Sequence, residues 1–310
     1  MYLMGSDQRI VRSARVSFNK DTFTDIERDK KLIEYLLKHK HASPFEHNII
    51  VFKASRPEFF SLLETVDNPA IPVYYDSGLV FMTLRTAFNV WNFLSHELKE
   101  QIRSRFPTAV RIFETKDREG PYTEDKYFFL IEPITTTAGS IALVDKLELG
   151  TRLDYYTLLV ECPIFVARQW MRHRFGAYNE VSRRYTSVGI DFYIPKKLRR
   201  QDKKNKQASV EDTWLSKDTE LELINSISTH SYSSYRLYLK LIKNDVAKEL
   251  ARIVLPHNLI TRFYWTVPRI ALDNFITLRT HKGAQKEIRE FAEVIEAMVG
   301  YKGTDKSLSL

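Results

Sequence analysis

Arg172-His173-Arg174-Phe175-Gly176-Ala177-Tyr178-Asn179-Glu180-Val181-Ser182-Arg183-Arg184-Tyr185 decides how the rest of this chain is read. Four arginines, a histidine, a glutamate, an asparagine and a serine fall within these fourteen residues. Arginine carries five fixed donors and stays charged at any working pH, so the group suits phosphate or several anionic groups at once. The alternative is a solvated basic turn. Against that stand the mixture of polar types and the apolar, helix-compatible residues 163–171 that lead into the stretch.

Working outward on the N-terminal side, residues 156–162 read as a strand, and Pro163 suits the first turn of a helix. On that helix Gln169 and Arg172 are three apart and Gln169 and His173 four apart, so they share a face. Cys162, the single cysteine, ends the apolar run. It excludes an intrachain disulfide framework, fits a reducing, cytoplasmic compartment and reads as a buried, inert thiol. Ser182 has no base at a telling spacing, so phosphate binding explains it better than nucleophilic catalysis.

Earlier in the chain, Thr24-Asp25 caps a predicted helix that ends near Leu37 to Lys40. His41-Ala42-Ser43-Pro44-Phe45-Glu46-His47 then makes an extended or turning entry to a strand over residues 48–54. Three close histidines there, His39, His41 and His47, lack zinc-ligand spacing. Residues 55–155 alternate apolar clusters with charged helical stretches, which is a folding composition and not a linker. Phe81-Met82-Thr83-Leu84-Arg85-Thr86 is echoed by Phe275-Ile276-Thr277-Leu278-Arg279-Thr280, too short a match to be a repeat.

Later on, residues 196–207 read as a basic solvated loop. No aromatics are interleaved there for base stacking, so nucleic acid is not the expected partner. The last third is helical in pattern, over 219–242, 246–255 and 282–299. Arg252 and Arg279 stand among apolar neighbours and need partners, either a structural carboxylate or a ligand.

The 310 residues, 44% hydrophobic, suffice for one or two packed domains. Lys and Arg number 47 against 39 Asp and Glu, a balance of +8 that suits an anionic partner. No apolar run is long enough to span a bilayer, and residues 1–7 are too short and polar for a secretory core.

Arg172, His173, Arg174, seven residues and Ser182 form a pattern that resembles the signature of the flavin-dependent thymidylate synthases. Pro163-Ile-Phe-Val-Ala-Arg-Gln-Trp-Met-Arg-His-Arg and Tyr178-Asn179-Glu180-x-Ser182-x-Arg184-Tyr185 extend the match. It covers about residues 9–54, 156–195 and 246–290. The resemblance implies an α+β fold, a mixed sheet with a helical layer. It assigns 1–54 and 156–310 to the core and leaves 55–155 as an insertion of unknown fold. It also implies reductive methylation of dUMP to dTMP, with FAD as cofactor and with methylenetetrahydrofolate and NADPH as co-substrates. A homotetramer with shared active sites goes with it, and neither a metal nor a membrane does.

Carried over by residue, the resemblance gives Gln169, Arg172, Glu180, Ser182, Arg183, Arg184 and Arg252 to dUMP. Ser17, His41, Ser43, Glu46, Arg172, His173, Arg174, Glu180 and Asn274 go to the flavin and folate region. Arg279 is the catalytic candidate, set against the uracil ring. The chain departs from the family pattern at Ala177 (often Ser), Pro268 (Asn) and Gly283 (His, with His281 nearby but out of register). Two other readings remain: flavin-dependent C5 modification of another pyrimidine nucleotide, and a non-catalytic nucleotide-binding homologue.

Overall fold

The inner strands of the fold are built to be buried on both faces. In the computed structural model, which describes residues 1–20, 25–66, 72–205, 208–212 and 214–300, strand β2 (Ile49–Lys53) shows the pattern. Ile50 and Phe52 point into one apolar cluster, Ile49 and Val51 into another. A near-continuous β-branched run is what a strand covered on both sides requires.

The elements, in chain order, are β1 (Tyr2–Met4), α1 (Asp7–Arg15), α2 (Ile26–Lys38), β2, α3 (Arg56–Glu64), β3 (Val73–Asp76), β4 (Leu79–Thr83), α4 (Leu84–Asn89), α5 (His96–Arg105), α6 (Pro107–Thr115), β5 (Ile131–Thr136) and β6 (Gly139–Leu147). There follow β7 (Tyr155–Pro163), α7 (Ile164–Trp170), β8 (Ala177–Glu180), β9 (Arg200–Gln201), β10 (Ser209–Val210), α8 (Lys217–Lys243), α9 (Lys248–Ala251), β11 (Ile260–Pro268), α10 (Arg269–Arg279) and α11 (Lys286–Val299). Short 3-10 turns cover Val16–Phe18, Ser43–His47, Trp91–Phe93 and Arg252–Val254.

Two sheets carry the fold, ordered β1-β2-β4-β3 and β5-β6-β7-β11-β8. The α+β class holds. The pairings among described residues are antiparallel and not mixed. Hairpins such as β3-β4 and β5-β6 close through two-residue turns, and such turns join only antiparallel strands. Helices α1, α2 and α4–α6 cover the first sheet; α7, α10 and α11 cover the second, around Trp170, Phe263, Trp265, Phe275 and Phe291.

Residues 55–155 supply strands to both sheets: β3 and β4 to the first, β5 and β6 to the second. The two echoed hexapeptides fold differently. Phe81–Thr83 ends a strand and Leu84–Thr86 begins a helix, whereas Phe275–Arg279 is the end of α10.

Helix α1 is polar yet almost wholly buried, so its charges must be met. Arg9 contacts Asp125 at 3.0 Å and Asp145 at 3.3 Å, and Arg12 contacts Asp125 at 2.7 Å. Asp7 accepts the N–H groups of Thr108 and Ala109, which caps α6 from a helix a hundred residues earlier.

Several local expectations shift by a turn. Asp25 does cap α2, accepting from Glu27 N at 2.9 Å; Thr24 lies outside the described residues. Ser43-Pro44 opens a 3-10 turn, the turning form of the expected entry to β2. Pro163 ends β7 and caps α7. Part of the basic loop is a small hairpin, β9 with β10, anchored by Arg199 on Glu287 and Arg200 on Asp212.

Candidate active site

Helix α7 stops at Trp170, one residue after Gln169, because the chain must turn to lay β8 against β11. The turn is tight at Gly176, where a Cβ would sit 2.8 Å from the Trp265 indole nitrogen and 2.9 Å from the Thr266 carbonyl oxygen. Arg172 and His173 therefore lie beyond the helix, not on its face. Their N–H groups reach back to the carbonyls of Gln169 and Trp170.

The turn is pinned from two sides. The Tyr178 hydroxyl donates to the His173 carbonyl at 2.8 Å. Arg279, the last residue of α10, donates Nε–H to His173 Nε2 at 3.1 Å and Nη2–H to the Gln169 carbonyl at 3.3 Å. The apolar face of α10, Leu272, Phe275 and Ile276, is buried, and the His173 ring meets Phe275 edge-on at 4.9 Å. Burial, reinforced by the Arg279 charge, lowers the His173 pKa to about 4. The ring is thus neutral at working pH, with its proton on Nδ1 and its Nε2 accepting. Gln169 also bonds the side chain of Gln285, just ahead of α11, a partner that no sequence signal marked.

Arg172 and Arg174 are exposed, and among the described residues neither has an ion-pair partner. Next to Arg174 lies a cavity of about 160 Å³ whose walls include Glu46, Tyr74, Thr83, Phe175 and Pro268. Glu46 and Ser43 come from the 3-10 turn, His47 of which is fully buried behind the wall. His47 bridges Thr266 Oγ1 at 2.7 Å and Asn179 Oδ1 at 3.1 Å, and burial lowers its pKa to about 3. His41 and Ser43 are exposed; the His41 ring lies 5.9 Å from Tyr35 and 6.3 Å from His39. Asn274 is exposed on α10, about one turn before Arg279.

A second group gathers where β8 ends. Thr261 donates to Glu180 Oε1 at 2.7 Å. Burial raises the Glu180 pKa against the opposing charges of Arg168, Arg183 and Arg252. A cavity of about 410 Å³ is bounded by these residues with Thr261 and His257. Ser182 N–H donates to the Ser17 carbonyl at 2.9 Å, which joins two residues far apart in sequence. Arg184 is exposed and sits 3.6 Å from Glu249.

Two members behave differently from expectation. Arg252 is exposed on a 3-10 turn, so burial does not oblige it to have a partner; the neighbouring Ala251 is the buried residue. Arg183 is buried, and its guanidinium is engaged by the carbonyls of Val188 at 2.7 Å and Gly189 at 2.8 Å. Arg168, Thr261 and His257 were not singled out in the sequence. Arg168 alone carried a signal, standing four residues before Arg172.

Of the departures, Ala177 is buried in β8 opposite Thr266, and Pro268 ends β11 and borders the smaller cavity. Gly283 N–H donates to His281 Nδ1 at 3.0 Å. Cys162 is fully buried, and burial raises its pKa well above normal, so it holds no reactive thiolate.

Unpaired guanidinium groups, a fixed half-buried arginine and two cavities are features suited to phosphorylated, partly aromatic ligands. The family model described as "Thymidylate synthase complementing protein" matches residues 1–61 and 153–300. A flavin-dependent thymidylate synthase from Aquifex aeolicus is 56% identical over 99% of this chain and 98% of its own length. One from Thermotoga neapolitana is 29% identical over 94% of this chain and 80% of its own. A solved UMP/dUMP methylase from Streptomyces cacaoi bound with 5-Br UMP aligns over 96% of this chain and 85% of that one, with 23% identity and a TM-score of 0.43. The chain belongs to the flavin-dependent thymidylate synthase family.

Proposed function

We propose that this enzyme converts dUMP to dTMP by reductive methylation, with FAD bound beside Arg172 and Arg174, methylenetetrahydrofolate as carbon donor and NADPH as reductant. The observation that carries the reading is the Arg279 guanidinium, fixed between His173 and Gln169 in the same turn that offers two unpaired guanidinium groups.

The residues present fit a flavin dinucleotide. Arg172 and Arg174 are free donors for a diphosphate, and the glycine at 176 keeps their turn close to the sheet. Bound there, FAD supplies redox chemistry that no side chain of this protein has. The remaining work falls to the protein. Arg279 is already held, so it meets negative charge developing on the uracil ring without first reorganising. His173, neutral and accepting, keeps that guanidinium aimed and does not repel it. Gln169, Glu180, Ser182, Arg184 and Arg252 bind the nucleotide, each charge-assisted bond contributing about 1.5–3 kcal/mol. Arg183 shapes their loop through its two carbonyl contacts. Ser17, His41, Ser43, Glu46, Glu180 and Asn274 complete the flavin and folate side.

The Arg279 group and the Glu180 group lie at different ends of the segment 169–184, which supports sites completed by a second copy. Helix α8 supports a homotetramer: of its 27 residues only Ser231 and Tyr238 are buried, while Leu221, Leu223, Tyr232, Leu237 and Leu239 are exposed. No helix among the described residues is long and apolar enough to cross a membrane, and the free buried thiol suits a cytoplasmic setting.

The test is turnover of dUMP by the purified protein with FAD, methylenetetrahydrofolate and NADPH, with the product identified by mass. A nucleotide heavier by one CH2, formed only with all four components, supports the reading. Binding of dUMP without product, or a product carrying another carbon unit, sinks it.

A further inference from the structure

The small cavity beside Arg174 is closed by residues that the family model does not match. Part of its lining comes from the matched blocks, Glu46, Arg174 and Phe175 among them. Pro72, Tyr74 and Thr83 of the lining come from residues 62–152, between those blocks.

Two of the side-chain contacts that cross that boundary lie at the cavity. Arg85, in the first turn of α4, forms an ion pair with Glu46. Tyr74, on β3, meets the Phe175 ring edge-on at 4.8 Å. Glu46 is the only carboxylate among the described residues that line the cavity. Left alone, it would set a negative charge next to Arg174, where a polyanionic ligand has to bind. The paired Glu46 side chain is only 19% exposed, so water screens its charge incompletely. Phe175 immediately follows Arg174, so an aromatic contact on Phe175 limits where the Arg174 guanidinium can swing.

We propose that Arg85 and Tyr74 are positioning residues for the flavin site: Arg85 neutralises and holds Glu46, and Tyr74 steadies the turn that carries Arg172 and Arg174. The stretch 72–85 is then a cofactor-side wall particular to chains that have this segment, and not a passive insertion. The proposal rests on the FAD reading given above.

The experiment is titration of the full chain with FAD, read by flavin fluorescence and visible absorption, with kcat and KM for NADPH and dUMP measured alongside. Arg85→Met and Tyr74→Ala are each expected to weaken FAD binding about tenfold, close to one lost charge-assisted or aromatic contact, while KM for dUMP stays put. Arg85→Lys and Tyr74→Phe keep the charge and the ring and are expected to restore affinity to within about twofold. Arg85→Gln replaces Arg85→Met if the latter does not fold by circular dichroism. FAD affinities within about twofold of the unaltered protein for both Arg85→Met (or Arg85→Gln) and Tyr74→Ala would overturn the proposal and leave the FAD reading intact. Failure of the unaltered protein to take up FAD would overturn both.

Discussion

Arg279 donates its Nε–H to Nε2 of His173 at 3.1 Å, across more than a hundred residues of sequence. The contact fixes three things together: the direction of the guanidinium, the tautomer of the histidine and the end of α10 against the end of α7. A charged donor on a neutral acceptor in a half-buried place holds only while the imidazole stays unprotonated.

Arg279→Ala removes a donor aimed at charge that develops during reaction. Turnover of dUMP is expected to fall by about two to three orders of magnitude, with the thermal midpoint little changed. Arg279→Lys keeps the charge but loses the fork, so it recovers only a small part. Steady-state rates and a melting scan on the same preparations check this; near-normal turnover in the alanine variant would take Arg279 out of the site.

His173 is expected to titrate near pH 4 instead of near its ordinary value of 6.5. Its folded pKa is depressed, so the unfolded chain binds the extra proton between those values. The stability it contributes is complete above about pH 6.5 and is lost as pH falls toward 4. The imidazole signal in an NMR titration reports the midpoint directly. In Arg279→Gln that midpoint moves up, and only part of the way, because burial is the larger cause.

Asp7 runs the other way. Burial raises its pKa to about 6, against the opposing effect of the Thr108, Ala109 and Thr123 donors. The folded state therefore holds the proton more tightly, and stability falls as pH rises from about 4 through about 6, by on the order of 3 kcal/mol. Denaturant melts from pH 4 to 7 should show the stability of the unaltered protein falling by that amount relative to Asp7→Asn, because the buried histidines His47 and His173 shift both proteins equally the other way. Parallel curves for the two would refute it.

Cys162→Ala should keep full turnover and cost about 1–2 kcal/mol, the usual loss for a small trimmed core side chain. A thiol reagent should leave the folded protein unlabelled, since burial keeps the thiol protonated. Complete loss of activity with the fold intact would point to a cysteine-based mechanism instead.

Arg183→Lys should lower stability by about 1–2 kcal/mol by breaking one of two carbonyl contacts, and leave kcat close to normal. A selective rise in KM for dUMP, with the melting point unchanged, would return Arg183 to direct nucleotide contact.

Individual elements could be read from spacing. The cap at Asp25 and the apolar runs of β2, β7 and α7 declared themselves through local chemistry. The fourteen-residue stretch marked the candidate anion-binding region because arginine so concentrated has few structural uses. Local pattern does not carry partners distant in sequence, and that is where expectation and structure part. Whether an arginine is free (Arg174), held by a carboxylate (Arg85), or spent on carbonyls (Arg183) depends on what packs over it. The direction of α7 past Trp170 was invisible for the same reason: it follows from how closely Gly176 must approach β11.

By itself the sequence determined the family, through the motif from Arg172 to Ser182, and the resemblance then implied the α+β class and the candidate site residues, because motif spacing is a local property. Tertiary structure alone decided that residues 55–155 complete both sheets, that Glu46 meets Arg85, and that Arg279 closes on His173. The physical reason is that charge pairing and burial are set by contacts between segments, and those contacts exist only once the sheets have formed.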